Sequence, residues 1–463
     1  SRQIWWGHRI PIWYSDKSIT VAARSKEEAI KILKKKNSSA NITHQEQDVL
    51  DTWFSSSLWP FSTLGWPKEN NLLQKFYPTN VLVTGFDIIF FWVARMIMMG
   101  LEFMKEVPFK DIYIHPLVKD ENGQKMSKSK GNVIDPLELI ENYGSDALRF
   151  TLTNLSTQGR DIKLSNKLVE NSRNFITKIW NVARFCQFNN FNYNKNFTPS
   201  SSNLSLNKWI LSRFEETQKK VVNNFKNYRF NLAISELYQF IWNDFCDLYI
   251  ELSKNYIKKD SEKDEISGVF NYVFSNSLNL INPIIPFITD KIGRELGYIK
   301  LSFYEQQINL KPDLVFEKKV SNDFEYVIDL LRKIRFEIGK THSESNLVII
   351  SKKKVNWIDN NIFLINSIFK FNQIKYENSY DSKNQKVFIV SGLKFIIESF
   401  KEDHLIHKKS IEKKIEFFKN EINFFTNKLN NENFINKAPT DIIKKHKNKL
   451  QEAKRNLQLL LDE

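Results

Sequence analysis

The sequence predicts an α/β region, then an all-α bundle, a small α+β segment and an antiparallel coiled coil. Three patterns point there. Residues 80–84 and 111–115 are short apolar runs with β-branched side chains, and an apolar stretch from 86 to 105 lies between them. From 168 to 248 apolar residues recur three and four apart, the spacing of one helix face. From 411 to 460 they alternate four and three apart in two stretches, the spacing of a heptad seam.

Residues 1–165 make the α/β region. Nearly continuous apolar runs fit parallel strands covered on both faces. Strand, helix and strand within about 35 residues fit a βαβ unit, whose crossover is right-handed. Ligands of such sheets gather at the carboxyl ends of the strands. Gly85-Phe86-Asp87 follows the first strand, and His115 with a lysine-rich segment follows the second.

Residues 166–310 read as a helical bundle, through Leu168, Phe175, Ile179, Val182 and Phe185, then Leu232, Leu237, Phe240, Ile241, Phe245 and Leu248. The Asn/Ser-rich stretch 189–205 is loop-like, and Pro283 and Pro286 start or bend a later helix. Residues 311–402 read as α+β, with a helix over 324–338 and strands over 346–351 and 386–390. Residues 403–463 carry two seams, Ile411-Ile415-Phe418-Ile422-Phe425-Leu429 and Ile443-His446-Leu450-Ala453-Leu457-Leu460. Pro439 or Thr440 opens the second, and folding back as a hairpin buries both.

The 463 residues suit two to four domains, and 37 Phe with 11 Trp supply large buried area. A net charge of +15 suits a polyanionic partner, although the abundance of Lys, Asn, Ile and Phe also fits an AT-rich coding sequence. Cys186 and Cys246 lie 60 residues apart, neither a metal-ligand spacing nor a disulfide framework. We therefore expect no bound structural metal and a reduced, cytoplasmic location. The longest apolar stretch, 81–104, is interrupted by Asp87, Arg95 and Glu102, which favours a buried helix over a membrane span. The chain opens on Ser1 inside what reads as a packed motif, as a piece of a longer protein would.

The richest segment is Gly123-Gln124-Lys125-Met126-Ser127-Lys128-Ser129-Lys130-Gly131-Asn132-Val133. Three lysines fall within six positions, with serines between them and a glycine at each end. A lysine is a compact point charge, serines add donors, and glycines let backbone amides approach an anion. Such a loop can neutralise charge that builds on a transferring phosphate and can close over a nucleotide. A solvated Lys/Ser loop is the plain alternative.

Lys125-Met126-Ser127-Lys128-Ser129 resembles the signature loop of class I aminoacyl-tRNA synthetases, and its neighbours resemble the valyl-tRNA synthetases. Ile4-Trp5-Trp6-Gly7-His8-Arg9-Ile10-Pro11 is similar to the segment that re-enters the catalytic domain after the editing insertion. Asp51-Thr52-Trp53-Phe54-Ser55-Ser56 and Thr84-Gly85-Phe86-Asp87-Ile88 resemble the next blocks, and Asn433-Phe434-Ile435-Asn436-Lys437-Ala438-Pro439 resembles the tail. Pro116, Asn282-Pro283 and the proline-poor 339–346 depart from the family pattern. So does the lack of a His-x-Gly-His; His404 and His407, three apart, read as helix surface.

The resemblance implies the second half of a Rossmann-type catalytic domain, an anticodon-binding bundle and a tRNA-binding arm. It implies that ATP, with Mg²⁺, activates valine to an adenylate, and that the valyl group passes to tRNA(Val). The complete protein would be a monomer, and this piece alone would be inactive. Lys125 and Lys128 would stabilise the departing pyrophosphate, with Ser127 and Ser129 shaping the loop. Gly85, Asp87 and His115 would meet the nucleotide, although Asp87 also suits a helix N-terminus and His115 a buried structural role. Trp53, Ile88 and Trp92 would wall the valine pocket, with core packing as the alternative. Arg173 and Phe185 would meet the anticodon arm, with bundle-core packing as the alternative for Phe185, and Lys444, Lys445 and Lys449 a phosphate backbone, with an ordinary solvated face as the alternative. An isoleucyl-tRNA synthetase and a non-catalytic tRNA-binding paralogue are the competing readings.

Overall fold

The computed structural model describes residues 7–127, 129, 131–258, 260–305, 318–338, 345–379, 385–399, 404–431 and 440–461. The chain divides into two compact units. The first holds residues up to 138, together with 151–168 and 228–231; the second holds the rest.

The first unit opens with a three-stranded antiparallel sheet of β1 (Ile12–Ser15), β2 (Thr20–Ala22) and β3 (Ile42–Gln45), in the order β2-β1-β3. Helix α1 (Lys26–Lys36) connects the last two and packs Ala29 and Leu33 against Val21 and Ala40. Its start is written in sequence. The Ser25 hydroxyl accepts the Glu28 N–H at 3.3 Å, and Lys34, Lys35 and Lys36 meet the negative end of the helix dipole. Three short helices follow, α2 (Thr52–Ser57), α3 (Trp59–Ser62) and α4 (Asn71–Phe76), around Phe61, Leu73 and Tyr77.

Next come β4 (Thr79–Gly85) and β5 (Phe109–His115), parallel and in register from Thr79↔Phe109 to Gly85↔His115. These match both strands expected from the apolar runs. The connection is not the uniform α-helix expected over 86–105. It runs as a 3-10 turn (Phe86–Ile88), π-helical turns (Ile89–Val93), α5 (Ala94–Met99) and further π turns (Gly100–Met104). Gly100, which opens the second interruption, is closely packed: a Cβ there would stand 2.8 Å from the Tyr77 hydroxyl and 3.0 Å from Pro108. Leu82, Val93, Met96 and Phe109 form the core beneath the strands. Beyond β5, β6 (Val118–Lys119) pairs in parallel with β7 (Ile162–Lys163). Between them lie the lysine loop, α6 (Pro136–Tyr143) and α7 (Ser145–Leu155), two helices divided between the units.

The second unit is mostly helical: α8 (Asn166–Phe188), α9 (Ser205–Lys226), α10 (Phe230–Gln239) running on through π turns (Phe240–Ile250) into α11 (Glu251–Ser253), then α12 (Asp260–Ile281) and α13 (Pro286–Glu295). Phe175, Phe214, Phe245, Phe270 and Phe274 fill its core. Pro286 sits at the first turn of α13, where a missing N–H costs nothing. The exposed amides of that turn, from Phe287 and Ile288, donate to Asp146. The departure at Asn282 is absorbed locally. Its buried amide donates to Thr289 Oγ1 and Asp290 Oδ1, both at 2.9 Å.

Helix α14 (Lys318–Ile338) packs on α9, with Trp209 donating to Glu325 at 2.8 Å. A four-stranded sheet follows, ordered β10-β11-β8-β9, from β8 (Ser345–Ile350), β9 (Ile374–Glu377), β10 (Lys386–Val390) and β11 (Leu393–Ser399). Helices α15 (Asn356–Asp359) and α16 (Ile362–Phe369) cross from β8 to its parallel partner β9. Expectation had only two of these strands. Two long helices, α17 (His404–Leu429) and α18 (Thr440–Leu461), lie against each other, with the rings of Phe425 and His446 5.3 Å apart. Part of the first seam serves another purpose: Ile415 and Phe418 pack on Val348, Val387 and Ile396 of the sheet.

Candidate functional site

The ends of β4 and β5 bring three expected residues together. Gly85 and His115 are register partners. A Cβ on Gly85 would lie 2.6 Å from Asp87 Oδ1 and 3.6 Å from His115 Cε1. The backbone at Gly85, φ −82° and ψ 155°, is open to any residue, so glycine is there for space. His115 Nδ1 lies 3.0 Å from the carbonyl of Pro116. A carbonyl only accepts, so Nδ1 is the donor in this contact. The departure at Pro116 leaves this carbonyl contact intact. Asp87 is exposed.

Two residues past His115 the chain enters β6 and then the lysine loop. Lys119 binds Asp161 at 2.6 Å, which holds that carboxyl below its usual range. Lys125 and Ser129 are exposed, Ser127 is half-buried, and the two serine hydroxyls are 3.2 Å apart. Lys128 and Lys130 lie outside the described residues. Asp120 and Asn132, which sequence reasoning did not select, hold the base of the loop through a 2.8 Å hydrogen bond. That bond, with the amide of Gln124 behind it, keeps the Asp120 carboxyl below the usual range. Their separation by twelve positions carries no recognisable spacing.

Of the three side chains expected to form an amino-acid pocket, Trp92 borders an apolar cavity, and Trp53 and Ile88 are not among its lining residues. Trp53 stacks on Phe91 at 5.7 Å. Trp92 donates from Nε1 to the Ser56 carbonyl at 3.1 Å. Ile88 has φ −113° and ψ 13°, outside the helical range, so the four-residue spacing from Ile88 to Trp92 does not define one α-helical face. Trp92 shares that apolar cavity of about 300 Å³ with Trp59, Val81, Leu82, Val83 and Phe109. Trp59 was missed because nothing in its local sequence separates it from core aromatics.

On α8, Arg173 is exposed, 3.7 Å from Glu170 and 5.8 Å above the Tyr143 ring. Phe185 is half-buried. Its ring packs against Phe191 and Phe270 in the bundle core. Phe188, three residues on, is 87% exposed. Lys444, Lys445 and Lys449 are exposed along α18, and Lys449 Nζ also reaches to 5.9 Å of the Phe425 ring. Among the described residues, no group of three or more His, Cys, Asp or Glu could hold a metal ion. No described helix is long and apolar enough to cross a membrane.

Comparison with known proteins places this geometry. Residues 1–165 match the family described as tRNA synthetases class I (I, L, M and V). Residues 207–350 match the anticodon-binding domain of tRNA ligase, and 407–463 the valyl tRNA synthetase tRNA binding arm. The valine–tRNA ligase of Pelagibacter ubique is 42% identical over 99% of this chain and 53% of its own length. That of Thermotoga maritima is 38% identical over 99% of this chain and 52% of its own. The chain thus spans about half the length of the curated relatives it matches. Among solved structures, a LeuRS from Agrobacterium radiobacter K84, in a ternary complex with tRNA and LeuAMS, aligns with a TM-score of 0.55 at 15% identity, covering 80% of this chain and 50% of its own. That likeness bears on the fold. With three family regions in order along it and 99% of its own length aligned to valine–tRNA ligases, over about half of theirs, the chain belongs to the valyl-tRNA synthetases of the class I aminoacyl-tRNA synthetases.

Proposed function

We propose that this chain carries the nucleotide end and the tRNA-binding parts of a valine–tRNA ligase, which joins valine to ATP as an adenylate and passes the valyl group to tRNA(Val). The observation that supports it most is the Gly85–Asp87–His115 cluster at the strand ends, followed along the chain by β6 and the lysine loop. Gly85 leaves room for the Asp87 carboxylate to lie against the backbone beside His115. Asp87 accepts from ribose hydroxyls, and His115 faces the same ligand from the end of the neighbouring strand. Lys125 and Lys128 neutralise the charge that accumulates as pyrophosphate leaves, with the Ser127 and Ser129 hydroxyls as donors. Mg²⁺ enters with ATP, held mainly by the phosphates. Trp92 and Trp59 border the apolar side where a small branched side chain fits.

The remaining parts address tRNA. Arg173 meets a phosphate and Phe188 stacks on an unpaired base. The α17–α18 pair acts as an antiparallel coiled-coil arm whose Lys444, Lys445 and Lys449 follow the RNA backbone. The domain limits 1–165, 166–310, 311–402 and 403–463 remain our division of the chain. The complete protein acts as a monomer in the cytoplasm.

Valine-dependent ATP–pyrophosphate exchange tests the reading, measured on the chain and on any longer polypeptide that carries it. Exchange driven by valine supports it, and preference for isoleucine overturns it. Tight tRNA binding with no exchange in any form would identify a non-catalytic paralogue instead.

A further inference from the structure

The base of the lysine loop is closed by one side-chain amide. Asp120, 8% exposed, follows β6 and makes a tight turn: its N–H donates to Gln124 O at 3.1 Å, its carbonyl accepts the Gly123 N–H at 2.9 Å, and its Oδ1 accepts the Gln124 N–H at 2.7 Å. Gly123 stands at φ +81° with Lys163 Cε 3.0 Å from where a Cβ would be, so the turn is tight on both counts. The other carboxylate oxygen, Oδ2, accepts Asn132 Nδ2 at 2.8 Å. The same Nδ2 reaches the Lys125 carbonyl at 3.3 Å, and Asn132 Oδ1 accepts the Ser127 N–H at 2.9 Å. One amide therefore touches residues before, at the start of and within the loop. Lys125, one of the lysines proposed to act on phosphate, lies inside the ring so closed.

We propose that Asn132, seated on Asp120, is the positioning residue of this loop: it fixes the backbone from which Lys125 and Ser127 project. The proposal rests on the adenylate-forming reading above and names the device that aims its cations. An amide suits the position because it presents donors on one side and an acceptor on the other. Aspartate would keep the acceptor for Ser127 but set two carboxylates face to face. Alanine would lose every contact. The bond from a neutral amide to an ionised carboxylate is the stronger kind, and a shared network is apportioned only by paired substitution. Asn132 acts on the chemistry at second hand, since its contacts are to the loop backbone and to Asp120.

The test uses Asn132→Ala, Asn132→Asp and the exchanged pair Asp120→Asn/Asn132→Asp, which puts one amide and one carboxylate back across the same gap. Valine-dependent ATP–pyrophosphate exchange is measured in the active polypeptide, and tryptic nicking within 123–131 in the chain itself. We expect kcat to fall about tenfold in both single variants, with the KM for valine within about twofold. Nicking should rise about tenfold as the loop base opens more often. The exchanged pair should recover most of both losses, a rescue that a general loss of structure would not give. Single variants within about twofold of the parent in both measurements, or an exchanged pair no better than Asn132→Asp, would overturn the proposal. If nicking responds as expected while the parent shows no exchange, the catalytic reading fails and the Asp120–Asn132 anchor stands.

Discussion

Gly85 faces His115 across the last rung of a parallel ladder, and the space left by its missing side chain is the space that Asp87 Oδ1 enters. The rung makes the spatial arrangement sensitive to one methyl group. Gly85→Ala needs no backbone change, yet its Cβ would stand 2.6 Å from the Asp87 carboxylate. Asp87 must swing away. We expect the KM for ATP to rise about tenfold with the melting temperature nearly unchanged. An unaltered KM would separate this cluster from the nucleotide.

The lysines should act on the transition state. Lys125→Ala and Lys128→Ala are each expected to lower valine-dependent exchange at least tenfold, or about 1.4 kcal/mol of transition-state stabilisation. Near-normal exchange in both would remove the loop from the mechanism.

Phe185 and Phe188 should separate folding from RNA binding. Phe185 lies between Phe191 and Phe270, so Phe185→Ala is expected to cost about 3 kcal/mol of stability. Phe188 is almost bare, so Phe188→Ala should leave stability alone and weaken tRNA binding by about 1–3 kcal/mol if a base stacks there. Urea denaturation and filter binding on both variants check the pair.

Reversing Lys444, Lys445 and Lys449 to Glu should weaken tRNA binding and flatten its dependence on salt, because fewer counterions are released. Exchange without tRNA should be unaffected. An unchanged salt slope would mean that α18 does not lie along the RNA backbone.

Both cysteines are buried, and desolvation pushes each thiol from near 9.0 up to about 12. Native protein at pH 8 should therefore react slowly with a thiol reagent at both positions, and quickly once unfolded. A folded-state pKa above the unfolded one means that the unfolded chain loses its protons first. The stabilisation is complete below about pH 9 and is lost as pH rises toward 12. Denaturation midpoints measured across that alkaline range should fall; a flat profile would contradict the burial of these thiols.

Much of the site was legible in one dimension because its parts are local. Gly85 and Asp87 are two apart, His115 ends a strand that its own apolar run announces, and the lysines are contiguous. The apolar periodicity also announced α8 and the helices over 232–248, since a buried stripe must repeat at the helix period. Legibility failed where spacing and environment part company. Ile88 and Trp92 have α-helical spacing on a backbone that is not α-helical there. Phe185 and Phe188 are chemically alike, and only the packing of Phe191 and Phe270 decides which is exposed. Strand β9 has only four residues, and its parallel partner β8 lies on the far side of α15 and α16 in sequence.

The sequence alone determined which chemistry this chain can carry: phosphate-directed cations on a Gly-bounded loop, a strand-end glycine with its acid, and a basic heptad helix. Those follow from residue type and near-neighbour spacing, which the linear order contains in full. Tertiary structure alone decided that Asp120 meets Asn132, that Trp59 joins Trp92 at the apolar cavity, and that Ile415 and Phe418 serve the sheet. Each of those depends on where distant backbone segments cross, and side-chain identity does not encode that distance.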